Sequence, residues 1–214
     1  MRIERRRVLA AAAALALVPR VAAQPLLDEL ATGVANDRAD AVRQLLARGM
    51  DPDSVDANGD PMLCIAARNG SVNAVRALLD AKANPNVANR YGDSPLMLAS
   101  LKGNLEIVRL LVGAKARLDP PGWTPLIYAA TGGHDAIVDY LIDHGANLDA
   151  HSPNGTTALM MAIHEHHART AQLLIDRGAD VTSRNQDGAS ALSWAKVNNE
   201  DALMRELRRA GARD

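Results

Sequence analysis

Residues 122–134 read Gly122-Trp123-Thr124-Pro125-Leu126-Ile127-Tyr128-Ala129-Ala130-Thr131-Gly132-Gly133-His134, and residues 137–149 read Ile137-Val138-Asp139-Tyr140-Leu141-Ile142-Asp143-His144-Gly145-Ala146-Asn147-Leu148-Asp149. Together they spell two short helices and a turn. The Thr124 hydroxyl can accept a hydrogen bond from a free amide at a helix start. Pro125 sits just inside, where its missing N–H would have had no helical partner. An Ala-rich helix follows and Gly133 ends it. In the second helix Ile137, Val138, Leu141 and Ile142 fall at helical spacing, which buries one face and leaves Asp135, Asp139 and Asp143 outside. Gly145 closes it, at a position where a left-handed backbone suits glycine.

The same plan recurs in both directions. The leucine after each turn is Leu63, Leu96, Leu126, Leu159 and Leu192, at spacings of 33, 30, 33 and 33. The leucine in each second half is Leu45, Leu78, Leu111, Leu141, Leu174 and Leu207, at 33, 33, 30, 33 and 33. Two independent series share one period and one three-residue deletion. Turn glycines accompany them at Gly59, Gly92, Gly122, Gly155 and Gly188. These residues resemble ankyrin repeats over nearly all of 26–212. The resemblance implies an all-α repeat solenoid, with helix–turn–helix units joined by β-turn fingers and stacked into a curve. The expected units are 26–55, 56–88, 89–119, 120–150, 151–183 and 184–212, within a repeat domain of 24–214.

Departures from the pattern carry their own expectations. Pro61-Met62, Ala158 and Ala191 break the Thr-Pro pair in three units. Lys82 and Lys115 stand where a helix-ending glycine belongs, and His166 takes the place of another. The deletion falls between Leu118 and Gly122, at Asp119-Pro120-Pro121, and predicts a shortened, stiff finger. At the two ends, Leu26–Asn36 has a helical pattern without a preceding glycine turn. Arg205, Arg208 and Arg209 give the last helix the polar outer face that a terminal repeat needs.

Composition agrees with closely packed helices. Hydrophobic residues make up 48% of the 214, with no Phe, two Trp and three Tyr, a small and aliphatic stock that suits helix packing better than a sandwich. The N-terminus has the order of a secretory signal: Arg2, Arg5, Arg6 and Arg7, an eleven-residue apolar run from Val8 to Val18, then Val21-Ala22-Ala23. That run is short of the about 20 apolar residues of a membrane span. Residues 1–23 are therefore read as an export signal cleaved after Ala23, by the general or the twin-arginine route. A buried N-terminal helix and a retained anchor are the alternatives. These residues carry five Arg and one Glu, so their removal takes the formal charge from −1 to −5. An acidic, aromatic-poor chain has no electrostatic footprint for nucleic acid, nor for an anionic membrane. The single cysteine, Cys64, cannot form an internal disulfide and reads as a small buried hydrophobe.

No phosphate loop, nucleophile elbow or zinc-protease motif is present, so neither enzyme activity nor a cofactor is expected. His164-Glu165-His166-His167 is the one cluster with metal-ligand chemistry. His134 and His167 align where ankyrin repeats carry a structural histidine, which leaves His164 as the unexplained member and metal binding as the alternative function.

By the resemblance, a protein partner would be met by the finger tips and the exposed side of the first helices, a concave face. Repeat mapping puts Asn58, Asp60, Arg68 and Asn69 there, with Arg90, Tyr91, Asp93, Leu101 and Lys102 from the next unit. Trp123, Thr131, Asn154, Thr156, His164 and Glu165 follow, then Gln186, Asp187, Val197 and Asn198. Tyr91 and Trp123 are the candidate anchors, because interface hot spots favour Tyr, Trp and Arg; covering the shortened finger is their other reading. Tyr128 and Trp194 read as partly buried between adjacent repeats. The implied function is a non-catalytic scaffold, periplasmic, binding a folded partner as stabiliser or inhibitor. Open stacks of this kind are usually monomers.

Overall fold

The computed structural model describes residues 20–213. The segment read as an export signal lies outside them, except for residues 20–23, which begin the first helix. Six helices form one layer: α1 (Arg20–Ala35), α3 (Met62–Asn69), α5 (Pro95–Lys102), α7 (Pro125–Thr131), α9 (Ala158–His164) and α11 (Ala191–Val197). Their partners form the other: α2 (Ala39–Ala47), α4 (Val72–Asp80), α6 (Leu105–Gly113), α8 (Asp135–Asp143), α10 (Ala168–Asp176) and α12 (Asp201–Arg209). Each helix packs on its hairpin partner and on the helix of its own layer one repeat away, which is the solenoid that the 33-residue period predicts. Among the described residues the only extended pairings are two isolated bridges, Val55–Pro61 and Arg184–Ser190. No helix among them is long and apolar enough to cross a membrane.

All eleven leucines of the two series are at most 2% exposed. They form one continuous spine with the alanines of the first helices, such as Ala66, Ala99, Ala129, Ala162 and Ala195. Residues as small as Ala let the first helices approach closely, which explains a core built without Phe. At the helix starts, Ser94 and Thr124 accept from the amides of Met97 (3.2 Å) and Ile127 (3.3 Å). Thr157 and Ser190 do the same for Met160 and Ser193, where no proline follows. Pro61 precedes α3 with no side-chain cap. Arg205, Arg208 and Arg209 are exposed on α12, while Leu203 and Leu207 face the core.

Every left-handed residue among those described belongs to one of three repeat positions. The finger turns use Gly59, Gly92, Gly122, Gly155 and Gly188; the second helices end at Gly49, Lys82, Lys115, Gly145, Gly178 and Gly211. The first helices end at Asp37, Gly70, Gly103, Gly133, His166 and Asn199. Lys82 (φ 69°), Lys115 (φ 68°) and His166 (φ 62°) thus take the glycine conformation, as their register requires.

The deletion is visible in two hydrogen-bond ladders. Ordinary fingers close with a pair of backbone bonds, as in Asn89 N–H to Asp93 O and Gly92 N–H to Asn89 O, both 3.0 Å. Equivalent pairs span Asp56–Asp60, Ser152–Thr156 and Asn185–Ala189; among the described residues none spans 119–123. A second ladder runs between units: the amides of Asn84, Arg117, Asn147 and Asp180 donate to the side chains of Asp53, Asn86, Asp119 and Asp149. Asp119 therefore keeps the register of the preceding units and Gly122 starts that of the following ones. The missing residues are lost between them, so the finger is short, as expected.

Candidate binding surface

The finger tips and the outer ends of the first helices present one row of side chains per repeat position. Asn58, Tyr91, Asn154 and Asp187 share one tip position, and all four are exposed, Tyr91 at 70%. Arg90 and Gln186 lie beside them, also exposed. Along the first helices Arg68, Leu101, Thr131, His164 and Val197 form a second row, half-buried in the first three and exposed in His164 and Val197. Lys102 and Glu165 are exposed one residue further on, as is Asn69, while Asn198 is half-buried and donates to the Ile163 carbonyl (2.7 Å).

Two of the expected contact residues are turned inward. Asp60 is 7% exposed; its Oδ2 pairs with Arg68 at 2.8 Å. Thr156 is 2% exposed and closes its finger by donating its amide to Ser152 Oγ (3.0 Å). Finger register tells where a residue lies along the chain but not which side of the hairpin its Cβ leaves from, and this position lies on the inner side. Asp93, from the same position, is half-buried and accepts from the Tyr128 hydroxyl. At the shortened junction Trp123 takes the Asp60 and Asp93 register, and its ring emerges to 38% exposure.

An aromatic cluster results. Trp123 meets Tyr128 edge to face at 6.2 Å between centroids, and the Tyr128 hydroxyl reaches across to Asp93, two residues from Tyr91. Arg90 lies over the Tyr91 ring at 4.8 Å. Burial, then the bond to Asp93, pushes the Tyr128 phenol well above its ordinary range, so it stays a hydroxyl. Tyr128 and Trp194 are half-buried between adjacent units, as their reading from the sequence expects; Trp194 stacks obliquely on His164 at 5.0 Å. Pro121 and Pro153 are exposed finger residues that repeat mapping omitted.

The histidines do not converge. His134 Nε2 donates to the Leu101 carbonyl (2.9 Å) and His167 Nε2 to the Thr131 carbonyl (3.0 Å), each tying its unit to the one before. His164 Nδ1 lies 2.9 Å from Glu165 Oε1, and His166 faces Glu200 at 3.4 Å. Among the described residues no three His, Cys, Asp or Glu side chains gather as a metal site, so His164 has no donor set around it. Cys64 is buried, and burial raises its thiol to about 12. It lies on the inner side of α3, with the Asp93 carbonyl 3.7 Å from its Sγ.

A family model described as ankyrin repeats (three copies) matches residues 30–120 and 113–185. The chain belongs to the ankyrin-repeat family. An ankyrin repeat domain from Acinetobacter baumannii AYE is similar in structure, with a TM-score of 0.78 and 30% identity, over 86% of this chain and 98% of that one. The human ASB11 ankyrin repeat domain is similar at a TM-score of 0.78 and 26% identity, over 86% of this chain and 84% of that one. No curated protein matches the chain. Ankyrin repeats generally mediate protein–protein interaction and are typically non-catalytic scaffolds.

Proposed function

We propose that this ankyrin-repeat protein is a non-catalytic scaffold that binds a folded protein partner through its concave face, as a stabiliser or an inhibitor. The observation that carries this is the exposed pair Tyr91 and Trp123 on successive fingers, which the Trp123–Tyr128–Asp93 chain of contacts ties together. Two large side chains kept partly in solvent on a rigid frame lose little freedom on binding and bury much area. The flanking polar residues Asn58, Arg90, Lys102, Asn154, Glu165, Gln186 and Asp187 form the rim.

Export places the scaffold in the periplasm in this reading, with residues 1–23 removed and residues 24–214 acting as a monomeric repeat domain of six units. The basic-then-apolar order at the N-terminus supports it. The test is capture of partners from a periplasmic extract by the purified mature protein, beside Tyr91→Ala and Trp123→Ala. Each variant should weaken binding of the captured partner about thirtyfold, the scale of a hot-spot loss of about 2 kcal/mol. Unchanged affinity in both variants would remove the concave aromatic pair from the interface.

A further inference from the structure

On the opposite layer, a groove of about 490 Å³ opens between α6 and α8. Val112, Ala116, Leu118 and Tyr140 make its apolar walls. Lys115 and His144 stand at its edge, and the Arg109 guanidinium lies 5.7 Å from the centre of the Tyr140 ring. His144 stacks on that ring at 3.9 Å and its Nδ1 donates to the Tyr140 carbonyl (2.7 Å), which leaves Nε2 for another partner.

Three departures from the repeat converge here. At the end of α6, Gly113 stands where three other units carry Asp80, Asp143 and Asp176, and the two end units Ala47 and Arg209. Glycine is unfavourable inside a helix, and a Cβ at Gly113 would meet nothing within 4 Å; packing does not require it, and its effect is to remove a carboxylate from the groove. Lys115, like Lys82 one unit earlier, holds a left-handed backbone where Gly49, Gly145, Gly178 and Gly211 serve the remaining units. Tyr140 takes the register of Leu110 and Leu173 and supplies a ring face. The acidic groups of the flanking helices are occupied elsewhere. Asp139 and Asp143 pair with Arg177 at 2.7 and 2.8 Å, and Glu106 pairs with Arg76 at 2.6 Å. Among the described residues neither Arg109 nor Lys115 is ion-paired.

We propose that this groove is a second docking site, for an acidic segment of a protein partner that inserts an apolar side chain. Opposite charge at the edge orients the segment, and the Tyr140 wall takes the apolar group. Lys115 also lies at a helix C-terminus, where a cation offsets the partial negative charge. That role by itself ties Lys115 to stability, whereas docking ties it to affinity. The two separate in Lys115→Gly, which relieves the left-handed backbone while deleting the charge.

The experiment uses a pool of eight-residue peptides randomised over Asp, Glu, Leu and Tyr, and a matched pool over Asn, Gln, Leu and Tyr. Purified protein is used to enrich each pool, and bound peptides are titrated by NMR. The acidic pool should enrich and the amide pool should not. Saturable shifts should centre on Val112, Lys115, Tyr140 and His144. Affinity should fall at least tenfold in Arg109→Ala and in Lys115→Gly, although Lys115→Gly melts higher than the parent. Tyr91→Ala and Trp123→Ala should leave it unchanged. Four outcomes would overturn the proposal: no enrichment of the acidic pool, equal enrichment of both pools, shifts centred on the concave face, or acetate competing as well as the peptide.

Discussion

Gly133 and Lys115 share a backbone conformation, φ 68° in each, for different reasons. A Cβ placed on Gly133 would lie 2.5 Å from Nδ1 of His167, because that ring lies against it while bonding to the Thr131 carbonyl. Gly103 meets His134 in the same way. At Lys115 the chain makes the same turn at the exposed end of α6, and a full side chain is accommodated. The comparison extends along the stack. Where the next unit offers Ser71 or Glu200 instead of a histidine, the helix ends in Asp37 or His166. A left-handed turn thus sets a modest conformational cost wherever it occurs, and the neighbouring repeat decides whether anything but glycine fits.

The largest effect should come from Gly133→Ala. Left-handed strain of about 1–2 kcal/mol adds to an overpacking cost of about 1–3 kcal/mol, a total of roughly 2–5 kcal/mol by denaturant melting. That rivals a core truncation such as Leu141→Ala, also about 2–5 kcal/mol. In a His167→Ala background the same alanine should cost only the strain, about 1–2 kcal/mol. If the two backgrounds gave equal costs, the histidine would not be what demands the glycine. Lys82→Gly probes the other side of the comparison and should stabilise by about 1 kcal/mol, raising the melting temperature. A fall instead would mean that the lysine side chain contributes more than the turn costs.

The smallest expected effect tests the finger side of the stack. Hydrogen bonds from the Thr182 and Ser183 hydroxyls, then the Thr182 amide, hold the Asp180 carboxyl below its ordinary range. A depressed carboxylate stabilises the fold above its unfolded value of about 3.9, and that contribution disappears as pH falls through the folded value. The stability gap between the parent and Asp180→Asn should therefore be present at about pH 6 and shrink below about pH 4. A gap that persists in acid would mean that the asparagine disturbs the turn by shape instead of by charge.

Much of this was legible in the residues. The leucine series, the helix-ending role of Lys82, Lys115 and His166, and the shortened junction after Asp119 all follow from register, because a period of 33 assigns each position a fixed environment. The candidate surface was legible less evenly. Asn58, Tyr91, Asn154 and Asp187 emerge as their register suggests, and Tyr128 and Trp194 are half-buried as read, yet Asp60 and Thr156 turn inward. Side-chain direction at a finger base depends on which neighbour offers a partner, such as Tyr128 for Asp93, and pairings across about one repeat leave no periodic trace.

Local chemistry alone determined the helix pairs, their caps and their stacking order, since each depends on residues within one turn or on a spacing countable along the chain. Tertiary structure decided which glycines are obligatory, how Asp119 and Gly122 divide the deletion, and how Gly113, Lys115 and Tyr140 come to border one groove. Those outcomes depend on contacts between units, where the identity of one side chain is judged by a residue some thirty positions away.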